Sequence, residues 1–242
     1  MQTELWITKI FNNYLAGLGN WCLGLVGIHA QPRPWANYVT MQLLVTLIII
    51  VLFAALKPRM SVDNPGKLQH AFEIIYEFVH GESKDQVGHE GPRYLAFFGT
   101  IFIFVLFANL IGIIPGFESP TMFPPVPLGC AMAVFLYYNL VGVQANGIFR
   151  YLAKFLGPMI WIAPLVVVIE IISHLARVLS LTVRLFANMY AGEQVLMVFL
   201  SLTYFAVPAL FMALHVFVSL LQAYIFMLLA MMYVAGAVAE EH

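Results

Sequence analysis

Apolar residues run almost unbroken through five stretches of this chain, divided by short polar or proline-rich segments. The first, Val39 to Leu56, is closed by Lys57, Pro58 and Arg59. As a helix it would cover roughly 27 Å, just enough to cross a bilayer core. Further spans are predicted at 94–114, ended by Pro115-Gly116, and at 128–143. The last two, 159–190 and 195–238, are longer. The former alone would reach roughly 48 Å, more than an apolar core about 30 Å thick accommodates upright. Both are expected to be strongly tilted, bent or partly horizontal, with Pro208 marking a bend in the second. Two other segments carry a different pattern. Between residues 65 and 79, Leu68, Phe72, Ile75 and Val79 recur at helical spacing among polar residues, which predicts an amphipathic helix on the membrane face. Trp6 to Leu25 reads as an interfacial segment, its tryptophans suited to the membrane boundary. The fold class is therefore an all-α polytopic membrane protein with about five crossing helices and one surface helix. Its organisation is an N-terminal interfacial segment, 1–38, followed by a single membrane domain, 39–242.

Composition agrees and excludes several alternatives. The 242 residues are 62% hydrophobic and only 10% charged, where a soluble domain carries about 25%. The formal net charge of −1 argues against a nucleic-acid partner. Cys22 and Cys130 lack any disulfide or zinc spacing, and no metal or cofactor is expected. No GxxxxGK[ST] loop is present to cradle a nucleotide phosphate. The N-terminus shows neither a secretory signal nor the Arg/Ser-rich character of a transit peptide, which points to a bacterial inner membrane. Five Lys/Arg lie in 57–93 and two more are Arg150 and Lys154, whereas none lies in 115–127. The positive-inside rule then places the 57–93 and 144–158 loops in the cytoplasm, the N-terminus outside, and Glu240, Glu241 and His242 inside.

Within the two longest apolar stretches sits a set of polar residues that membrane burial penalises. Arg184 is the most demanding, because a guanidinium stays charged and costs roughly 2.5–3.5 kcal/mol at the bilayer centre. On a helical wheel Ser173, His174, Arg177, Arg184 and Asn188 all fall within about 60° of Glu170. In the next stretch Ser219, Gln222 and Tyr233 fall within about 40° of His215, so the two stripes are expected to face each other. Singly, Ser173, Asn188 and Ser219 read as helix–helix glue, and a lone histidine as a packing residue. Together, intramembrane ionisable groups mark a pathway. Glu170, Glu193 and His215 can take and release protons. Arg184 cannot; it can only attract a passing carboxylate and repel positive charge. Two other readings are open at this point. An independent ion-coupled secondary transporter would use similar groups but usually shows repeats, which are not seen here. A haem-binding redox anchor could use His174 and His215 as axial ligands.

The blocks SLTVRLFANMYAGE (Ser180–Glu193), LLQAYIFMLLAMMYVA (Leu220–Ala235), EIISHLARVLSL (Glu170–Leu181) and NLIGIIPGFESPT (Asn109–Thr121) resemble subunit a of the F-type ATP synthase. The resemblance implies a non-catalytic stator subunit beside a rotating c-subunit ring, with b-type peripheral stalk subunits and, indirectly, the ATP-binding catalytic head as partners. It implies two offset half-channels leading to a ring carboxylate, with Arg184 as the separator that prevents protons from short-circuiting. Glu193, His215 and Gln222 match residues of proton access, and Glu170 an acidic residue on the outer-side route. Asn188 and Tyr233 match residues near the arginine and along the last helix. Ala187 stands where many relatives have glycine and Val178 where many have proline, so a milder bend is expected there.

Overall fold

The computed structural model describes residues 4–25, 27, 29, 31–61, 66–114, 116–149, 151, 163–202 and 206–238. Arg150, Lys154, the predicted helix start at 159–162, and Glu240 to His242 lie outside the described residues. Every regular element among the described residues is helical. Two short helices, α1 (Trp6–Tyr14) and α2 (Ala16–Leu25), precede α3 (Asn37–Leu56). Then come α4 (Lys67–Val87), α5 (Leu95–Leu110), α6 (Pro125–Asn146), α7 (Ala163–Leu202) and α8 (Ala206–Val238). Five helical segments are long and apolar enough to cross a membrane.

The core lies where α5, α6 and α8 meet, with α7 on one flank. Phe98, Phe102 and Val105 of α5, Val134 and Tyr138 of α6, and Phe226, Met227 and Met231 of α8 are buried together. Ala131, Ala223 and Ala230 are buried in the same seam, and such small side chains let membrane helices approach closely. Helix α3 joins at its middle through Val45, against Ala108 and Ile111, and leaves most of its surface bare.

Four differences from the sequence reading have physical reasons. The surface helix predicted at 65–79 runs on to Val87 and ends at Gly88, whose φ of +79° is a backbone state that glycine adopts freely. It is also no bystander: Val79 is 1% exposed in the main core, and Phe78 rests on Tyr224 of α8. The spans predicted to end at 190 and begin at 195 are not divided there, because α7 continues unbroken to Leu202. Gly192 is helical, and it is small because His215 leaves no room for a side chain. Pro208 does not bend a helix interior; it falls in the first turn of α8, where its missing N–H would have no intrahelical partner anyway. At Val178 α7 is continuous, and the carbonyl there accepts a bond from Thr182 Oγ1 at 2.8 Å. As one helix of 40 residues, α7 is roughly 60 Å long, about twice an apolar core, so it must run obliquely or project beyond it.

Candidate functional site

The polar stripes of α7 and α8 do face each other, on antiparallel helices. Contacts descend α7 as they climb α8. Gly192 lies against His215, Met189 Sδ is 4.0 Å from Ser219 Oγ, and Asn188 Nδ2 donates to Gln222 Oε1 at 2.6 Å. Further along, the Arg177 guanidinium lies 5.3 Å from the Tyr233 ring centroid.

One group of side chains clusters toward the loop between α5 and α6. Glu193, His215 and Gln222 are buried there, and Glu193 Oε2, His215 Nε2 and Gln222 Nε2 have no hydrogen-bonding partner among the described residues. Buried polar atoms are nearly always bonded, so such orphans call for water or an ion. Beside them lies a polar lattice that the pattern reading missed. Thr121 Oγ1 donates to Asn109 Oδ1 at 2.7 Å, and Asn109 Nδ2 donates to the Ser219 carbonyl at 3.4 Å. Ser119 Oγ donates to the Ala108 carbonyl at 2.9 Å. The available signal was Asn109, an amide at the end of the apolar run that forms α5.

A second group occupies the other end of the seam, where Asn146 Nδ2 of α6 donates to the Ala237 carbonyl of α8 at 2.9 Å. Tyr138 Oη of α6 is 2.5 Å from His174 Nδ1, and the two rings stack at 5.7 Å. His174 Nε2 lies 3.4 Å from Glu170 Oε1, one helical turn away. Ser173 is half-buried on the same stretch. Glu170 therefore does not share a route end with Glu193. Helical rise puts Glu170 roughly 21 Å on one side of Arg184 and Glu193 roughly 14 Å on the other. Glu170 and Glu193 therefore stand on opposite sides of Arg184 along α7. His174 and the level of His215 differ by roughly 27 Å along α7, so the pair cannot be two axial ligands of one haem. Among the described residues, no group of three His, Cys, Asp or Glu could hold a metal ion.

Arg184 lies near the middle of α7 and is half-buried. Among the described residues no carboxylate stands within ion-pair distance of it. It borders a face of α7 on which Leu175, Leu179, Val183 and Tyr190 are all at least 45% exposed. A profile of the ATP synthase A chain family matches residues 39–235, which includes every one of these positions. The chain belongs to that family. ATP synthase subunit a of Solibacter usitatus (strain Ellin6076) is 70% identical over 233 residues, covering 96% of this chain and 100% of the relative. Its counterpart in Koribacter versatilis (strain Ellin345) is 46% identical over 244 residues, covering 100% of both chains. That of Geotalea uraniireducens (strain Rf4) is 42% identical over 200 residues, covering 83% of this chain and 86% of the relative. A chain of this family is a membrane-sector subunit of the F-type ATP synthase, which sets aside the free-standing transporter and haem-anchor readings.

Proposed function

We propose that this subunit carries protons to and from a rotating c-subunit ring through two offset half-channels, with Arg184 as the electrostatic barrier between them. The observation that carries the reading is Arg184 itself: a permanent charge at mid-helix, beside a bare apolar face, with no carboxylate within ion-pair distance among the described residues. A desolvated guanidinium in that position needs a carboxylate supplied from outside the chain. At 4 Å and an effective dielectric of about 20, such a pair is worth roughly 4 kcal/mol, enough to ionise an arriving carboxylate and weak enough to release it. Glu193, His215 and Gln222, with Asn188, form the outer route; Glu170, Ser173, His174 and Tyr233 line the inner one. The bare face of α7 is where the ring would run. The exposed surfaces of α3 offer a separate place for the membrane anchors of b-type stalk subunits. Catalysis belongs to the ATP-binding head, not to this chain. The protein resides in a bacterial plasma membrane, N-terminus outside and C-terminus in the cytoplasm.

The test is passive proton flux through the assembled membrane sector in liposomes, together with ATP synthesis by the complete enzyme. Arg184→Ala is expected to abolish synthesis and open a proton leak. Retained coupled synthesis in that variant would remove the separator role.

A further inference from the structure

We propose that Glu118 is the outermost proton acceptor of the outer route, taking protons from the aqueous face and handing them to Glu193. This deepens the function proposed above and rests on it. Glu118 sits in the loop between α5 and α6, at the end of the molecule opposite the basic loops. Within a few residues this loop passes from water to core: Ile114 and Gly116 are exposed, Glu118 is half-buried, and Ser119, Pro120 and Thr121 are buried. The turn Pro120–Met122, two residues beyond Glu118, packs directly on α7, the helix that carries Glu193. Thr121 and Asn109 form the adjoining wall, which reaches α8 at the Ser219 carbonyl, one turn from His215 and from Gln222.

The carboxylate is also held from outside. Asn37 Nδ2 donates to Glu118 Oε2 at 3.4 Å, while Asn37 Oδ1 accepts from the Leu5 N–H at 3.4 Å. The Trp6 ring meets Phe117 edge-on at 6.0 Å, and Thr8 and Thr40 share a buried hydrogen bond of 2.7 Å. The N-terminal segment is thus docked over this loop, leaving Glu118 at its margin. The charged groups of the surrounding elements are Glu193 on α7, His215 beyond it on α8, exposed Lys9 on α1, and the pair Glu4–Arg33 at 3.3 Å. Helices α3, α5 and α6 carry no charged side chain. Burial lifts the Glu118 carboxyl above its ordinary pKa, against the opposing Asn37 bond, so it holds a proton more readily than a free carboxylate. In one transfer, the carboxylate of Glu118 gains a proton from hydronium in the aqueous phase, releasing water. The neutral acid then gives that proton to the Glu193 carboxylate and returns to its ionised form.

A purely structural Glu118 would serve only as the acceptor for Asn37, and glutamine can accept that bond equally well. The complete enzyme, reconstituted in liposomes, is therefore driven by a proton gradient at a series of pH values on the Glu118 side. Glu118→Gln is expected to slow synthesis by about tenfold at alkaline pH on that side, less than a positioned acid–base group usually contributes because water partly substitutes. The loss should shrink in acid, where protons are plentiful, and Glu118→Asp should recover most of the rate. An unchanged pH profile in Glu118→Gln would overturn the proposal, as would a loss that is equal at every pH and not recovered by aspartate. Glu193→Gln, run in parallel, separates the two readings. If it stops synthesis while Glu118→Gln leaves rate and pH profile unchanged, only the role of Glu118 fails. If it changes nothing, the outer route itself fails.

Discussion

At one end of the α7–α8 seam, Glu170, His174 and Tyr138 satisfy one another and Arg177 rests over Tyr233. At the other, Glu193, His215 and Gln222 each leave a buried polar atom without a partner among the described residues. Helices α7 and α8 run through both ends, and α6 adds Tyr138 at the first. An unsatisfied buried group typically costs about 1–3 kcal/mol, so three on one seam are a substantial burden. The first end shows that these helices can satisfy such groups. At the other, Gly192 packs on His215, and Glu193, His215 and Gln222 keep polar atoms unpaired among the described residues. The contrast is between a tied cluster on one side of Arg184 and an unsatisfied, open one on the other.

The largest expected effect tests the open end. Glu193→Gln keeps size and removes the titratable group, so proton-driven turnover should fall by about a hundredfold with normal assembly. Equal flux at every pH would make the cluster mere packing and erase the contrast. Next is Gly192→Val. A Cβ at this position would stand 2.8 Å from His215 Nδ1, so the imidazole must move. Overpacking of this kind costs about 1–3 kcal/mol, and thermal denaturation of the assembled sector should show it together with reduced flux. Gly192→Ala should do the same more mildly.

The closed end should respond differently. Tyr138→Phe removes the bond to His174 and should cost about 1 kcal/mol of stability while flux stays near normal. A collapse of flux as deep as that of Glu193→Gln would mean that the two ends do the same work. The smallest effect concerns Glu118 and pH. Its folded pKa is raised by burial, so folding favours the protonated acid. That contribution is fully present below the unfolded pKa and lost as pH rises through the folded value. Glu118→Gln should accordingly be slightly stabilising in alkali and near neutral in acid, read from melting curves at the two pH extremes.

Much of this was legible in residue order. The spans around α3, α5 and α6 were placed within a few residues, because long apolar runs flanked by proline or charge have few alternatives in a membrane. The facing of the α7 and α8 stripes was also foreseen, since helical period alone puts Glu170, Arg184 and Asn188 on one side. The break expected between 190 and 195 is absent, because Gly192 stays helical and packs on His215, a contact that residue order does not reveal. The surface helix was cut short for a similar reason: its second half is polar along the sequence, yet Val79 and Ser83 are buried by contacts from other elements.

What the sequence determined by itself was therefore everything that depends on local period and on solvent: the helices, their membrane character, and which residues are too costly in lipid to be incidental. It could not sort those residues into ends or say which were satisfied. Glu170 and Glu193 look alike along the chain. Only the docking of α6 tied His174, the neighbour of Glu170, to Tyr138, and only the docking of α8 left Glu193 buried with an unpaired oxygen among the described residues. The physical reason is that hydrogen-bond satisfaction is set by neighbours distant in sequence, and a stripe along one helix specifies its own face but not what will meet it.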